Sequence, residues 1–137
     1  MINILVIDDD DINNFLLGHL LKKSDYPVES KMFTDPVIGL DYVVNLHEKK
    51  EAVDLILLDI NMPQMTGWDV LNELRKSDGK GLQTVKKVYM LSSSVHITDI
   101  EQAKEYPEVS GFISKPITLE FLSKIFLEIT ESKPGVS

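Results

Sequence analysis

The sequence predicts an α/β fold, a doubly wound and mainly parallel sheet with helices on both faces. Two observations carry that expectation. Apolar runs of strand character alternate about five times with segments whose apolar residues recur at helical spacing. Several of those runs also end abruptly in a chemically useful side chain. Residues 2–7 end in Asp8-Asp9-Asp10-Asp11, residues 53–58 in Asp59, residues 88–91 in Ser92-Ser93-Ser94, and Phe112-Ile113 runs into Lys115-Pro116. Strands alternating with helices imply βαβ units and a parallel sheet. Right-handed crossovers leave few topologies for such units, and all the polar run-ends then fall along one edge of the sheet.

Each element has its own local reason. Residues 1–7 read as a buried strand, after which Ile12, Phe15, Leu16, Leu20 and Leu21 supply the expected apolar face of a first helix. Residues 28–33 alternate more weakly, as an outer strand does. Asp35-Pro36 starts a second helix, with Pro tolerated in the first turn and Val37, Leu40, Val44 and Leu46 as its face. Residues 53–58 form the third strand, and Thr66-Gly67-Trp68-Asp69 caps a third helix containing Val70, Leu71 and Leu74. Residues 88–91 are the fourth strand. Thr98-Asp99-Ile100-Glu101 matches a capping box. The fourth helix it opens is mostly polar, and its thin stripe of Ile100 and Ala103 predicts a loosely held element. Residues 111–113 are a short fifth strand. Thr118 opens a final helix carrying Leu119, Leu122, Ile125, Phe126 and Ile129.

Composition narrows the function. The 137 residues, 43% hydrophobic and 26% charged, suit one soluble globular domain. Such a domain buries about two-thirds of its unfolded surface and needs no disulfide or structural metal. With no cysteine, thiolate and redox chemistry are excluded. A net charge of −8 argues against nucleic acid as a partner, and the basic stretch from Arg75-Lys76 to Lys86-Lys87 reads as a solvated loop. The N-terminal apolar run is short and ends in acids, so it is neither a signal peptide nor a membrane span, and a cytoplasmic protein is expected. His19, His47 and His96 lack ligand spacing. Residues 133–137 read as a C-terminal tail.

Ligands of open α/β sheets bind beyond the carboxyl ends of the strands, where strand order reverses. Asp8, Asp9 and Asp59 flank such a point if the first and third strands are neighbours. Carboxylates held together repel and gain proton affinity unless a cation intervenes, and hard oxygen donors suit Mg²⁺. The plainer reading makes the four acids a helix N-terminus meeting the dipole. Asp11 fits that reading as an N-cap, but four acids exceed what a cap requires. Lys115 is on the plain reading a surface lysine with a snorkelling stem. The following Pro fixes the turn and favours an extended Lys backbone, so its ammonium can be aimed at Asp59. Ser92 is singled out only by its place after Val88-Tyr89-Met90-Leu91.

Taken together, these residues resemble the receiver domains of two-component response regulators. The matching pieces are Ile7-Asp8-Asp9, Leu58-Asp59-Ile60-Asn61-Met62-Pro63, Gly67, Met90-Leu91-Ser92-Ser93 and Gly111-Phe112-Ile113-Ser114-Lys115-Pro116, in the family's order. The resemblance implies a flavodoxin-like five-stranded sheet of order 2-1-3-4-5, with residues 1–132 as the receiver domain. It implies Asp59 as phosphoacceptor, Asp8, Asp9, Asp59 and the Asn61 backbone carbonyl as Mg²⁺ ligands, and Lys115 as the phosphoryl-contacting lysine. Ser92 and Phe112 are similar to the switch hydroxyl and switch aromatic. Phe112 has no hydroxyl, so its inward state is not held by a phenolic hydrogen bond. A cis Lys115–Pro116 peptide is implied as well.

The resemblance further implies a signalling phosphoacceptor that is not an enzyme in its own right. A sensor histidine kinase or histidine phosphotransfer protein would supply the phosphoryl group. Output would go to a downstream protein through the fourth helix, fifth strand and final helix. Trp68 belongs either to a docking face or to a partly buried helix position. Two alternatives stand beside this. A haloacid-dehalogenase-type phosphatase would use Asp8 as nucleophile, but leaves Asp59-Ile60-Asn61-Met62-Pro63 unexplained and finds no second acidic pair after Lys115. A degenerate receiver would be an interaction module only, against which the set Asp8, Asp9, Asp59, Ser92 and Lys115 is intact.

Overall fold

The computed structural model describes residues 1–49, 51–76 and 84–132. The expected tail 133–137, and residues 77–83 within the basic stretch, lie outside the described residues, as does the side chain of His47. Strands β1 (Ile2–Ile7), β2 (Val28–Phe33), β3 (Val53–Asp59), β4 (Val85–Ser92) and β5 (Val109–Ser114) form one parallel sheet. Its order is β2-β1-β3-β4-β5, so the expected topology holds, with β2 at one edge. The crossovers are α1 (Asp11–Lys22), α2 (Pro36–Glu48), α3 (Gly67–Lys76) and α4 (Ile97–Ala103), and α5 (Leu119–Ser132) follows the last strand.

The central strands are apolar on both faces because both faces are covered. Successive side chains point to opposite sides, so Ile4, Val6, Leu55 and Leu57 join Leu17, Leu21, Leu122, Ile125, Phe126 and Ile129 in one core cluster. Leu5, Ile7, Ile56 and Leu58 join Val43, Leu46, Leu71 and Leu74 in the other. Helix α5 buries the expected Leu122, Ile125, Phe126 and Ile129, while Leu119 is half-buried.

Helix α1 departs from expectation. Ile12, Phe15 and Leu16 are 73%, 65% and 51% exposed, whereas Asn13, Asn14, Leu17 and Leu21 are buried. The helix is rotated from its most apolar stripe because the two amides have polar partners beneath them. On α2 likewise, Val37 is exposed and Val43 fully buried.

Caps were legible in kind and less so in register. The α3 cap is as expected: the Thr66 N–H donates to the Asp69 carboxylate at 2.9 Å, and the Asp69 N–H donates to the Thr66 hydroxyl at 3.1 Å. At α1 the N-cap is Asp10, not Asp11; it accepts from the Ile12 and Asn13 N–H groups. At α4 the helix starts one residue before Thr98, and Asp99 accepts the His96 N–H at 3.2 Å in place of a Thr98–Glu101 box. Strand β5 is longer than expected, running along β4 from Val109 to Ser114.

Helix α4 buries no residue, as its thin stripe foretold. The chain just after it is fastened to α3. Arg75 makes a two-pronged ion pair with Glu108 at 2.9 and 2.8 Å and donates to the Glu105 carbonyl at 2.7 Å. Its guanidinium lies 4.3 Å from the centre of the Tyr106 ring, and the Tyr106 hydroxyl donates to Asn72 at 2.9 Å. Arg75 is therefore no solvated loop residue. Trp68 is buried against Tyr106, so its side chain belongs to the core side of α3 and not to a docking face.

Candidate functional site

The register of the sheet assembles the site. Ile7 pairs with Leu58, Asp59 with Leu91, and Ser92 with Ser114. The residues at or just past those pairs, Asp8, Asp59, Ser92 and Lys115, therefore fall in a row along the carboxyl edge of β1, β3, β4 and β5. Around that row the carboxylates of Asp8, Asp9 and Asp59 converge, offering oxygens all within 4.8 Å of one another. Lys115 supplies a nearby cation: its ammonium lies 2.8 Å from Asp8 Oδ2 and 3.6 Å from Asp59 Oδ2. The Lys115–Pro116 peptide is cis, as expected, and the Lys115 N–H donates to the Ser92 carbonyl at 2.9 Å.

Asp8 is wholly buried and fully partnered. Its Oδ1 accepts the Asp10 N–H at 2.9 Å, and its Oδ2 accepts the Asn13 amide at 2.9 Å as well as the Lys115 ammonium. The Asn14 amide donates to the Asp8 carbonyl at 2.9 Å. Asp59 is nearly as buried, but among the described residues its one backbone donor is the Asn61 N–H at 3.3 Å. Burial, followed by the charge of Asp8, pushes the Asp59 carboxyl up from the ordinary 3.8 to about 7 against the opposing pull of Lys115. Burial alone depresses the Lys115 ammonium, but the Asp8 hydrogen bond and charge, with Asp59 and Asp10, outweigh it and hold it above its usual value.

The turn after Asp59 is fixed by close approach. The Ile60 N–H donates to the Leu91 carbonyl, and the Gly67 N–H donates to the Ile60 carbonyl. A β-carbon at Gly67 would stand 2.6 Å from the Asp59 carbonyl oxygen and 2.7 Å from Met90. Only a glycine lets α3 start so near the end of β3. This keeps the Asn61 backbone beside the carboxylates.

Ser92 and Phe112 lie on neighbouring strands and are separately engaged. The Ser92 hydroxyl is buried, donates to the Ser94 carbonyl at 2.6 Å and accepts the Ser94 N–H at 3.1 Å. Ser94 Oγ lies 3.2 Å from His96 Nε2. Phe112 is half-buried, with its ring centre 6.4 Å from that of Trp68. Neither exposed histidine, His19 nor His96, belongs to the acidic cluster.

The donor set suits Mg²⁺, because among the described residues three hard carboxylates face a single ammonium and two of the three are buried. Asp9 is exposed, which leaves one side of the cluster open to solvent. Sequence reasoning missed Asn13 and Asn14. The signal was present as two amides early in a helix that follows an acidic cluster, but the stronger apolar periodicity beside them pointed the other way.

The family model of the response regulator receiver domain matches residues 4–126. The chain is 31% identical over 125 residues to a 3',5'-cyclic-nucleotide phosphodiesterase from Dictyostelium discoideum, covering 90% of this chain and 14% of that protein. It spans only 6% and 23% of two further curated relatives, so the shared part is less than a quarter of each of these proteins. A two-component response regulator from Cytophaga hutchinsonii superposes with TM-score 0.84 at 27% identity, over 95% of this chain and 97% of that one. A chemotaxis protein from Vibrio cholerae superposes with TM-score 0.71 at 25% identity, over 94% and 98%.

Proposed function

The chain belongs to the response regulator receiver family of two-component signalling, in which phosphorylation and Mg²⁺ binding are general, and from that premise we propose that Asp59 is its phosphoacceptor. The observation that carries the reading is the contrast between the two buried carboxylates. Asp8 has partners on both oxygens, whereas Asp59 has one long backbone hydrogen bond and a more distant ammonium. An oxygen of Asp59 is thus the freer nucleophile, which also weighs against a phosphatase that uses Asp8.

In the reaction, an Asp59 oxygen forms a bond to phosphorus as the bond from phosphorus to the histidine nitrogen of the donor breaks. The electron pair leaves with the imidazole, which takes up a proton, and Asp59 becomes an acyl phosphate. Asp8, Asp9, Asp59 and the Asn61 carbonyl would hold Mg²⁺, which supplies positive charge against the phosphoryl oxygens. Lys115, already between Asp8 and Asp59, swings the short distance to neutralise another oxygen. Catalysis here is positioning plus electrostatics, as is general for phosphoryl transfer. Ser92 then exchanges Ser94 for a phosphoryl oxygen, drawing residues 92–96 inward, and Phe112 follows into the space. The packings on either side of that change coexist beforehand, and the phosphoryl contacts bias them.

The donor is a phosphohistidine on a sensor kinase or phosphotransfer protein. The exposed Ile12, Phe15 and Leu16 of α1, directly beside the pocket, give it an apolar face to dock on. Output goes to a protein partner through α4, β5 and α5, where Ile97, Ile100, Phe121 and Leu127 are exposed. Among the described residues no helix is long and apolar enough to cross a membrane.

Incubation with acetyl phosphate and Mg²⁺ is expected to add one phosphoryl mass to the intact protein, absent in Asp59→Asn. Retention of that mass in Asp59→Asn would overturn the assignment and point to Asp8.

A further inference from the structure

Helix α1 turns two amides inward and three large apolar side chains outward. Rotating it to turn Ile12, Phe15 and Leu16 inward would bury apolar side chains in place of the two amides, a change the hydrophobic effect favours. Something at the sheet edge opposes that rotation. The polar contacts of the two amides all lead to Asp8: Asn13 reaches its carboxylate and Asn14 its carbonyl. Asn14 spends its amide N–H on the backbone and leaves its Oδ1 buried with no partner, so its contact fixes the turn and not the carboxylate. Asn13 alone touches the charged group.

The oxygen that Asn13 holds is also the one Lys115 holds, at 2.9 and 2.8 Å. The two donors differ in what they are free to do. Lys115 is on a long flexible stem, lies 3.6 Å from Asp59 and is needed there once a phosphoryl group arrives. Asn13 is nine-tenths buried on the first turn of a helix, and its amide N–H is already committed to Asp8. A neutral amide also leaves the charge of Asp8 uncompensated, so it orients the carboxylate without competing for a cation.

We propose that Asn13 is a positioning residue that keeps the Asp8 carboxylate aimed at the metal pocket when Lys115 turns away. The proposal rests on the receiver reading above. Partners that orient a metal-binding side chain typically contribute about 10–100-fold in metal affinity. Asn13→Leu retains the size of the side chain and removes the donor. In that variant the Mg²⁺ dissociation constant, read by calorimetry, is expected to rise about tenfold. The Mg²⁺ concentration for half-maximal phosphorylation by acetyl phosphate should rise in parallel. The rate at saturating Mg²⁺ should stay within about twofold of wild type, since an occupied site orients Asp8 itself.

Asn13→Ser, which is too short to reach Oδ2 and keeps a polar group, serves as the second variant should the leucine impair folding, and is expected to shift in the same direction. A purely structural role predicts lower melting temperatures in both variants with Mg²⁺ affinity unchanged, and that result would overturn the proposal. If wild type itself neither bound Mg²⁺ nor accepted phosphate, the receiver reading would fall and this inference with it. Tight wild-type binding together with an unshifted Asn13→Ser overturns the inference alone.

Discussion

Helices α1 and α5 pack on the same face of the sheet, yet different forces set their rotation. Helix α5 turns Leu122, Ile125, Phe126 and Ile129 inward, the stripe its sequence advertises. Helix α1 turns Asn13, Asn14, Leu17 and Leu21 inward and leaves Ile12, Phe15 and Leu16 in solvent. Both lie over the core that contains Ile4, Val6, Leu55 and Leu57. The difference is proximity to Asp8. A buried carboxylate needs hydrogen bonds more than the core needs another apolar side chain, so the helix that starts beside it is organised by polar demand.

Three measurements can break or sharpen this contrast. The largest effect is expected at α5, where Phe126→Ala should cost about 3–5 kcal/mol through lost burial and the cavity left behind. Chemical denaturation checks it, and a loss under about 1 kcal/mol would mean that α5 is not held by its apolar stripe.

The next effect lies at the pocket beside α1 and depends on pH. The folded protein keeps a proton on Asp59 up to about pH 7, well above the 3.8 of an ordinary carboxyl. Between those values the folded state binds more protons than the unfolded chain, so this group lowers stability as pH rises and its full penalty is present above about 7. In chelator at pH 8, Asp59→Asn should therefore be more stable than wild type, by on the order of 2 kcal/mol once solvent screening at the open side of the pocket is allowed for. The gap should close as pH falls toward 4 in paired melting curves. Mg²⁺ should narrow it from the other direction by stabilising wild type, since a ligand at about 100 times its dissociation constant adds roughly 2.7 kcal/mol. A variant that melts earlier than wild type in chelator at pH 8 would show that the three carboxylates do not repel.

The smallest stability effect belongs to the outward face of α1. Phe15→Ser should change stability by no more than about 0.5 kcal/mol, because the ring is already in water. It should slow phosphotransfer from a phosphohistidine protein while leaving phosphorylation by acetyl phosphate unchanged. Equal slowing with both donors would remove the face from the docking reading.

The same contrast explains what could be read from sequence. Strand ends were legible because a chemically active residue stops an apolar run at a definite position, which placed Asp8, Asp59, Ser92 and Lys115 along one edge. The strand order came from resemblance, since periodicity cannot say which strands are neighbours. The rotation of α1 was not legible, because Ile12, Phe15 and Leu16 have the periodicity of a core stripe and the opposing force is a tertiary contact to Asp8. The cap at Asp10 was blurred by four identical acids in a row, any of which can accept an N–H. Trp68 was ambiguous because its burial depends on Tyr106, far along the chain.

The fastening of Arg75 to Tyr106 and Glu108 has a mechanical meaning. Helix α4 is a beam clamped at its C-terminal end by α3 and propped at the other by Ser92, Ser94, His96 and Asp99. Its seven residues make a lever about 10 Å long. With one end clamped and no residue fully buried along its length, a tug at the Ser92 end would be delivered as tilt about Tyr106. Displacement would then grow with distance from the clamp, so Ile97 would travel farther than Ile100, and Ala103, which packs against the core, would hardly move.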